Sequence, residues 1–185
     1  MIIWIASYPK SGNTWVRSFV IAYYFCENGI FDINKLNLIQ DYPNKQFFRE
    51  TVKKGEIHKH WDSSQKDICN EKKVKFLKTH NSLITAFGND FTKPEYSLGV
   101  IHVIRDPRNI ITSLKNHYDF ETYERALEFM QDENKILEDY PHLKNYAKTN
   151  IINSWRINYK SWMSNKNFQR LTIRYEDMIK DPQQT

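Results

Sequence analysis

Eight residues near the start of the chain, Tyr8-Pro9-Lys10-Ser11-Gly12-Asn13-Thr14-Trp15, most restrict the folds open to it. They separate a short β-branched and aromatic run, Ile2 to Ile5, from a stretch in which Trp15, Phe19 and Tyr23, with Val16, Val20 and Tyr24, recur at helical spacing. A strand that feeds a polar, glycine-containing loop into a helix N-terminus is the arrangement with which α/β proteins hold phosphate. Unpaired N–H groups and the positive end of the helix dipole attract an anion, Gly12 allows close backbone approach, and Ser11 and Thr14 offer hydroxyl donors. A nucleoside triphosphatase loop would read G-x-x-x-x-G-K-[ST]. With Gly12 on its second glycine, Asn13 falls at the lysine and Ile5 at the first glycine, so that signature fails. Lys10 stands on the other side of the glycine, which suits a phosphate whose reacting end is presented differently.

The strand, loop, helix arrangement recurs. Val74 to His80 reads as a strand that turns polar at its C-terminal end, where open parallel sheets place their ligands. Ser97 to Arg105 is nearly continuously apolar, as expected of a central strand buried on both faces. Asp106-Pro107 then opens a helix, with Asp near the N-cap and Pro at the first helical position. Residues 122 to 138 carry a further helical pattern in Tyr123, Ala126, Leu127, Met130 and Leu137, and Pro141 separates it from a long helix bearing Ile151, Ile152, Trp155, Tyr159, Trp162 and Met163. Leu171 to Tyr175 reads as another parallel strand, and Glu176-Asp177 begins a short final helix. Residues 30 to 73 are polar and weakly periodic, consistent with short helices and loops. Alternating strands and helices predict an α/β three-layer sandwich with a mainly parallel sheet, helices on both faces and a P-loop-like nucleotide-binding core. A length of 185 residues suits one domain, 1–185.

The formal net charge of +5 fits an anionic ligand, but no Lys/Arg block dominates a face as nucleic-acid binding would require. The densest basic clusters, Lys72-Lys73-Val74-Lys75 and Lys53-Lys54, read as solvated surface. Cys26 and Cys69 lack C-x-x-C spacing, which argues against a disulfide framework or structural zinc and for a reducing, cytoplasmic setting. Neither a signal peptide nor a membrane span is expected. His58, His60, His102, His117 and His142 read as surface or hydrogen-bonded residues, with His102 a satisfied core histidine.

The strand-end loops thus hold Lys10 to Thr14 in the first, Lys78 and His80 in the second, and Arg105 and Ser113 in the third. On these residues the chain resembles the sulfotransferases that use 3′-phosphoadenosine 5′-phosphosulfate (PAPS). The family signature Y-P-K-S-G-T-T-W matches Tyr8 to Trp15 except at Asn13, and R-[ND]-P-[KR]-[DN] with a serine eight residues on matches Arg105 to Asn109 and Ser113. Lys78-Thr79-His80 resembles the family's K-T-H segment, and Arg174 to Met178 its R-Y-E-D-[LM], followed by Asp181-Pro182. Ser154-Trp155 and Trp162 also stand at the family's spacing, so the likeness spans residues 2 to 182.

The resemblance implies a role for each position. The backbone from Ser11 through Gly12, Asn13 and Thr14 to Trp15 would hold the 5′-phosphosulfate, Trp15 would lie near the adenine, and Arg105 and Ser113 would bind the 3′-phosphate. His80 would be the general base, with Lys10 and Lys78 stabilising the leaving and equatorial oxygens. Sulfuryl transfer proceeds in line through a loose transition state, so positioning and charge stabilisation suffice, and no metal is expected. The acceptor would be a small molecule, glycan or lipid with a hydroxyl or amine. Residues 30 to 70 and 81 to 97 would face it; Phe47, Phe48, Trp61, Phe87 and Phe91 are candidates for an apolar wall, with core or surface packing the simpler reading for each. The resemblance allows a homodimer. Arg156 replaces a tyrosine that many members place near adenine, and the family's C-terminal portion, which closes over the 3′-phosphate, is expected to be missing after Thr185. Two alternatives stand beside this reading: a P-loop kinase, and a truncated nucleotide-binding protein without activity.

Overall fold

Strand β1 (Ile2–Ser7) divides its side chains between two cores. Ile2, Trp4 and Ala6 enter one cluster and Ile5 another, all with no solvent exposure, as the two-residue period of a strand buried on both faces requires. The computed structural model describes residues 1–49, 52–53, 55–139 and 148–181; Lys54, Pro141, His142 and Pro182, named above, lie outside them. After β1 come α1 (Asn13–Phe25), β2 (Gln40–Asp41), α2 (Trp61–Asn70), β3 (Lys75–Thr79), and the hairpin of β4 (Thr85–Ala86) and β5 (Asn89–Asp90). The chain continues through β6 (Ser97–Ile104), α3 (Pro107–His117), α4 (Tyr123–Gln131), β7 (Ile136–Asp139), β8 (Lys148–Ile151), α5 (Trp155–Met163), β9 (Gln169–Arg174) and α6 (Tyr175–Lys180).

Five of these strands form a wholly parallel sheet in the order β2-β3-β1-β6-β9. Trp61 and Ile68 of α2 and Trp162 of α5 pack with Trp4, Tyr42 and Phe91 on one face, while Val16 and Ile21 of α1 and Met178 of α6 pack with Ile5 and Val103 on the other. Burying a side chain of this size contributes about 1.5–3 kcal/mol. A third cluster joins Tyr8 to Ile110 and Leu114 of α3 and to Phe129 and Met130 of α4. The expected three-layer α/β architecture is therefore present.

Its decisive feature is the register. Ala6 lies beside Thr79 and Ser7 beside Val103, so β1, β3 and β6 end at one level with β1 between the other two. Succession from β1 leads to opposite sides, the switch point at which such sheets leave a crevice beyond their carboxyl ends.

Three expectations need correction. The helical pattern of 122 to 138 stops at Gln131, and Leu137 belongs to β7, whose ladder with β8 pairs Ile136 with Ile151. The long helix is only α5. Asn153 takes a left-handed φ of 55° and the Ser154 side chain accepts from the Ile157 N–H, so the helix starts after them and Ile151 stays in the hairpin. Finally, the aromatic stripe of α1 faces outward: Val16, Arg17 and Ile21 are buried, whereas Trp15, Phe19 and Tyr23 are exposed. Among the described residues, no helix is long and apolar enough to cross a membrane.

Candidate active site

All residues expected at the site except Ser11 line one cavity of about 500 Å³ at the ends of β1, β3 and β6. Its floor is the loop after β1. Lys10 (φ 65°) and Gly12 (φ 96°) are both left-handed there, curling the backbone so that successive N–H groups converge. Gly12 is also the N-cap of α1, and no side chain caps that end. By contrast, Asp106, Thr122 and Ser154 cap α3, α4 and α5. The first amides of α1 are thus left to whatever enters the cavity. Ser11 lies beneath the loop, 1% exposed, its hydroxyl buried with no hydrogen-bond partner among the described residues.

Gly12 is required twice. Besides its φ, a Cβ at this position would sit 2.3 Å from Cδ2 of Tyr175, whose ring fills the notch. Tyr175 in turn carries the Arg105 guanidinium 4.4 Å above its ring centre, and Arg105 Nη1 donates to the Lys10 carbonyl at 2.8 Å. Next to it, Glu176 accepts the Asp106 N–H at 2.9 Å. The Arg-Tyr-Glu-Asp segment therefore clasps the first loop to the third. Asp106 itself is the N-cap, and hydrogen bonds from the Arg108 side chain and N–H hold its carboxyl down to about 2.

The second loop presents His80, with ring Nδ1 2.7 Å from the Ser7 carbonyl oxygen. Lys78 reaches the cavity wall while its ammonium pairs with Asp41 of β2 at 2.8 Å. Asn13 behaves differently from a simple cradle residue: its amide turns back to β1, donating to Ile5 O at 3.0 Å and Ser7 Oγ at 3.1 Å. Trp15 is half-exposed at the rim and leans on Phe19. Ser113 lies on α3 beside Arg105 in the same cavity.

Sequence reading missed part of the wall. His117, Tyr118, Leu137, Glu138, Asn150 and Tyr175 also line the cavity. His117 had a legible signal, since it follows Ser113 by one helical turn on the same face of α3. Burial and the neighbouring Lys10 charge push its imidazole below the ordinary range. The residues from β7 and β8 carried no such signal, because a hairpin brings them in. Of the aromatics offered as an apolar wall, none lines this cavity, and the core or surface alternative holds for each: Trp61 and Phe91 are core, Phe47 and Phe48 pack against that core, and Phe87 is exposed. His58 is buried and packs on Phe87, whereas His102, expected as a satisfied core histidine, is buried with Nδ1 lacking a partner among the described residues. Arg156 does not line the cavity.

Comparison with known proteins supplies a frame for this geometry. Mouse sulfotransferase SULT7A1 complexed with PAP superposes with a TM-score of 0.56 at 20% identity, over 97% of this chain and 52% of that one. Retinol dehydratase with androsterone and inactive cofactor PAP gives 0.53 at 15% identity over 98% and 56%, and with retinol and PAP 0.50 at 16% over 98% and 56%. The chain spans about half the length of these structures, which it resembles in fold. No curated protein sequence matches it. The family model described as the sulfotransferase domain matches residues 2–185, and the chain belongs to the sulfotransferase family.

Proposed function

We propose that the protein transfers a sulfuryl group from PAPS to a hydroxyl or amine of a small-molecule, glycan or lipid acceptor, in the cytoplasm. One observation carries this reading: an uncapped helix N-terminus, two lysines, an arginine and a histidine from three separate strand ends share one cavity of about 500 Å³. That volume is in the range of sites for ligands of this size.

In this reading the α1 amides and Lys10 hold the 5′-phosphosulfate, Trp15 covers the adenine edge, and Arg105 and Ser113 take the 3′-phosphate. His80 removes the acceptor proton at Nε2 as the acceptor oxygen bonds to sulfur. Lys10 neutralises the bridging oxygen while its bond to sulfur breaks, releasing adenosine 3′,5′-bisphosphate. The neutral ring suits this task because Nδ1 faces a carbonyl, which can only accept, so the basic lone pair belongs to Nε2. Lys78, held beside the cavity by Asp41, adds positive charge near the equatorial oxygens.

The test measures titration calorimetry with adenosine 3′,5′-bisphosphate alongside transfer from labelled PAPS to a panel of phenols, alcohols, amines and sugars. His80→Ala is expected to lower kcat by about 10²–10⁴-fold with nucleotide affinity nearly intact. Equal loss of both would refute the base assignment, and tight binding of magnesium ATP with no affinity for the bisphosphate would refute the donor.

A further inference from the structure

The strand-end histidine is held from three directions, and one of them leads into the phosphate loop. Its backbone N–H donates to Asn150 Oδ1 at 3.2 Å, and its carbonyl accepts from Asn158 Nδ2 at 3.0 Å. Its ring Nδ1 faces two oxygens of one residue, the Ser7 carbonyl at 2.7 Å and the Ser7 hydroxyl at 3.3 Å.

The Ser7 hydroxyl is itself set by Asn13. Ile5 O can only accept, so the nitrogen of the Asn13 amide must point inward, and the orientation of this side chain is fixed by chemistry. One amide hydrogen goes to Ile5 O and the second to Ser7 Oγ. A hydroxyl that accepts from Asn13 keeps a second lone pair for the Nδ1 hydrogen of His80. Ser7 and Asn13 are 1% and 6% exposed, which leaves water little room to take over either role. The arrangement also carries a cost. Asn13 Oδ1 is buried without a partner among the described residues, a defect that destabilises by about 1–3 kcal/mol. The two bonds that the amide donates to buried oxygens offset this cost.

We infer that Asn13 and Ser7 are positioning residues for the general base: the Ser7 carbonyl keeps the hydrogen of His80 on Nδ1, and the Ser7 hydroxyl, oriented by Asn13, holds the ring with Nε2 turned to the acceptor. This rests on the reading of His80 as base. It assigns Asn13 two tasks, since its backbone N–H belongs to the helix end that faces the donor while its side chain sets the base. A residue that merely anchored the loop to β1 would affect stability and donor affinity, and leave the imidazole Nδ1 resonance alone.

Long-range ¹H–¹⁵N correlation on the full chain labelled at histidine, with His80→Gln for assignment, reads the tautomer directly. The wild type is expected to carry its neutral-ring hydrogen on Nδ1. Asn13→Ala and Ser7→Ala, which keep the Ser7 carbonyl, are expected to retain that tautomer, shift the Nδ1 resonance and lower kcat about tenfold, with donor KM changed less than about twofold. Ser7→Thr, which keeps the hydroxyl, restores both. A wild-type hydrogen on Nε2 overturns the inference without any variant having to fold, and so does an unchanged Nδ1 resonance in both alanine variants. If His80→Ala left turnover intact, the base reading would fail while the tautomer result still stood, so the two failures are distinguishable.

Discussion

Replacing Gly12 by alanine should be among the most damaging single-methyl additions the protein can receive. Two separate terms enter. An L-residue in the left-handed region costs about 1–2 kcal/mol, and Gly12 at φ 96° lies beyond the centre of that region. The new Cβ would also stand 2.3 Å from Tyr175 Cδ2 and 2.8 Å from Cε2, and inserting a methyl into such contact costs about 1–3 kcal/mol more. Together they predict a loss of about 2–5 kcal/mol in urea unfolding. Relief by moving the ring would withdraw the platform beneath Arg105 and loosen its bond to the Lys10 carbonyl, so affinity for adenosine 3′,5′-bisphosphate should fall as well. A double-mutant cycle separates the terms. With Tyr175→Ala in place the steric part disappears and only the φ strain remains, so the two changes together should destabilise by about 1–3 kcal/mol less than their sum. Additivity within about 0.5 kcal/mol would show that ring and glycine do not meet as described.

Two further expectations concern the frame around the site. Burial first, and Arg170 second, lower the His102 imidazole from 6.5 to about 4. The unfolded chain therefore binds a proton that the native state refuses: the stability present above pH 6.5 is lost as pH falls toward 4, by about 2 kcal/mol between pH 7 and pH 5. Urea midpoints of His102→Leu should lack that part of the pH dependence, and parallel wild-type and variant curves would contradict it. Arg17, 8% exposed, donates from Nη2 to Leu36 O at 2.8 Å and Ile39 O at 2.6 Å. Arg17→Met removes both bonds, leaving Leu36 O, among the described residues, with only the long 3.4 Å bond from the Ile39 N–H, and should destabilise by about 2–4 kcal/mol, read by denaturant unfolding with an unchanged m-value; a change under about 0.5 kcal/mol would show the bonds to be dispensable.

What the residues disclosed in advance was the part governed by short-range rules. Tyr8 to Trp15 is a strand-loop-helix junction because its neighbours are strongly periodic and Gly12 permits one backbone turn, and Asp106-Pro107 starts a helix for reasons local to those two residues. Such features need no knowledge of the rest of the chain. The far wall of the cavity does. Leu137 fits a helical repeat with Met130 as well as it fits a strand, and only its pairing partner in β8 decides between them. Likewise, the apolar weight of Trp61 and Phe91 says that they are buried but not on which side of the sheet, and they fill the core around Trp4 instead of the cavity. The direction of the Asn13 amide was illegible for a related reason: it depends on acceptors of β1 that become available only when the loop folds back on its own strand.

The clasp made by Tyr175 and Glu176 has a bearing on how the protein is born. The loop it secures leaves the ribosome well before the ring that fills the Gly12 notch and the carboxylate that meets Asp106. Until they arrive, the loop has nothing to brace its curve, so competence to grip an anion should await, as one event, the docking of β9 and α6.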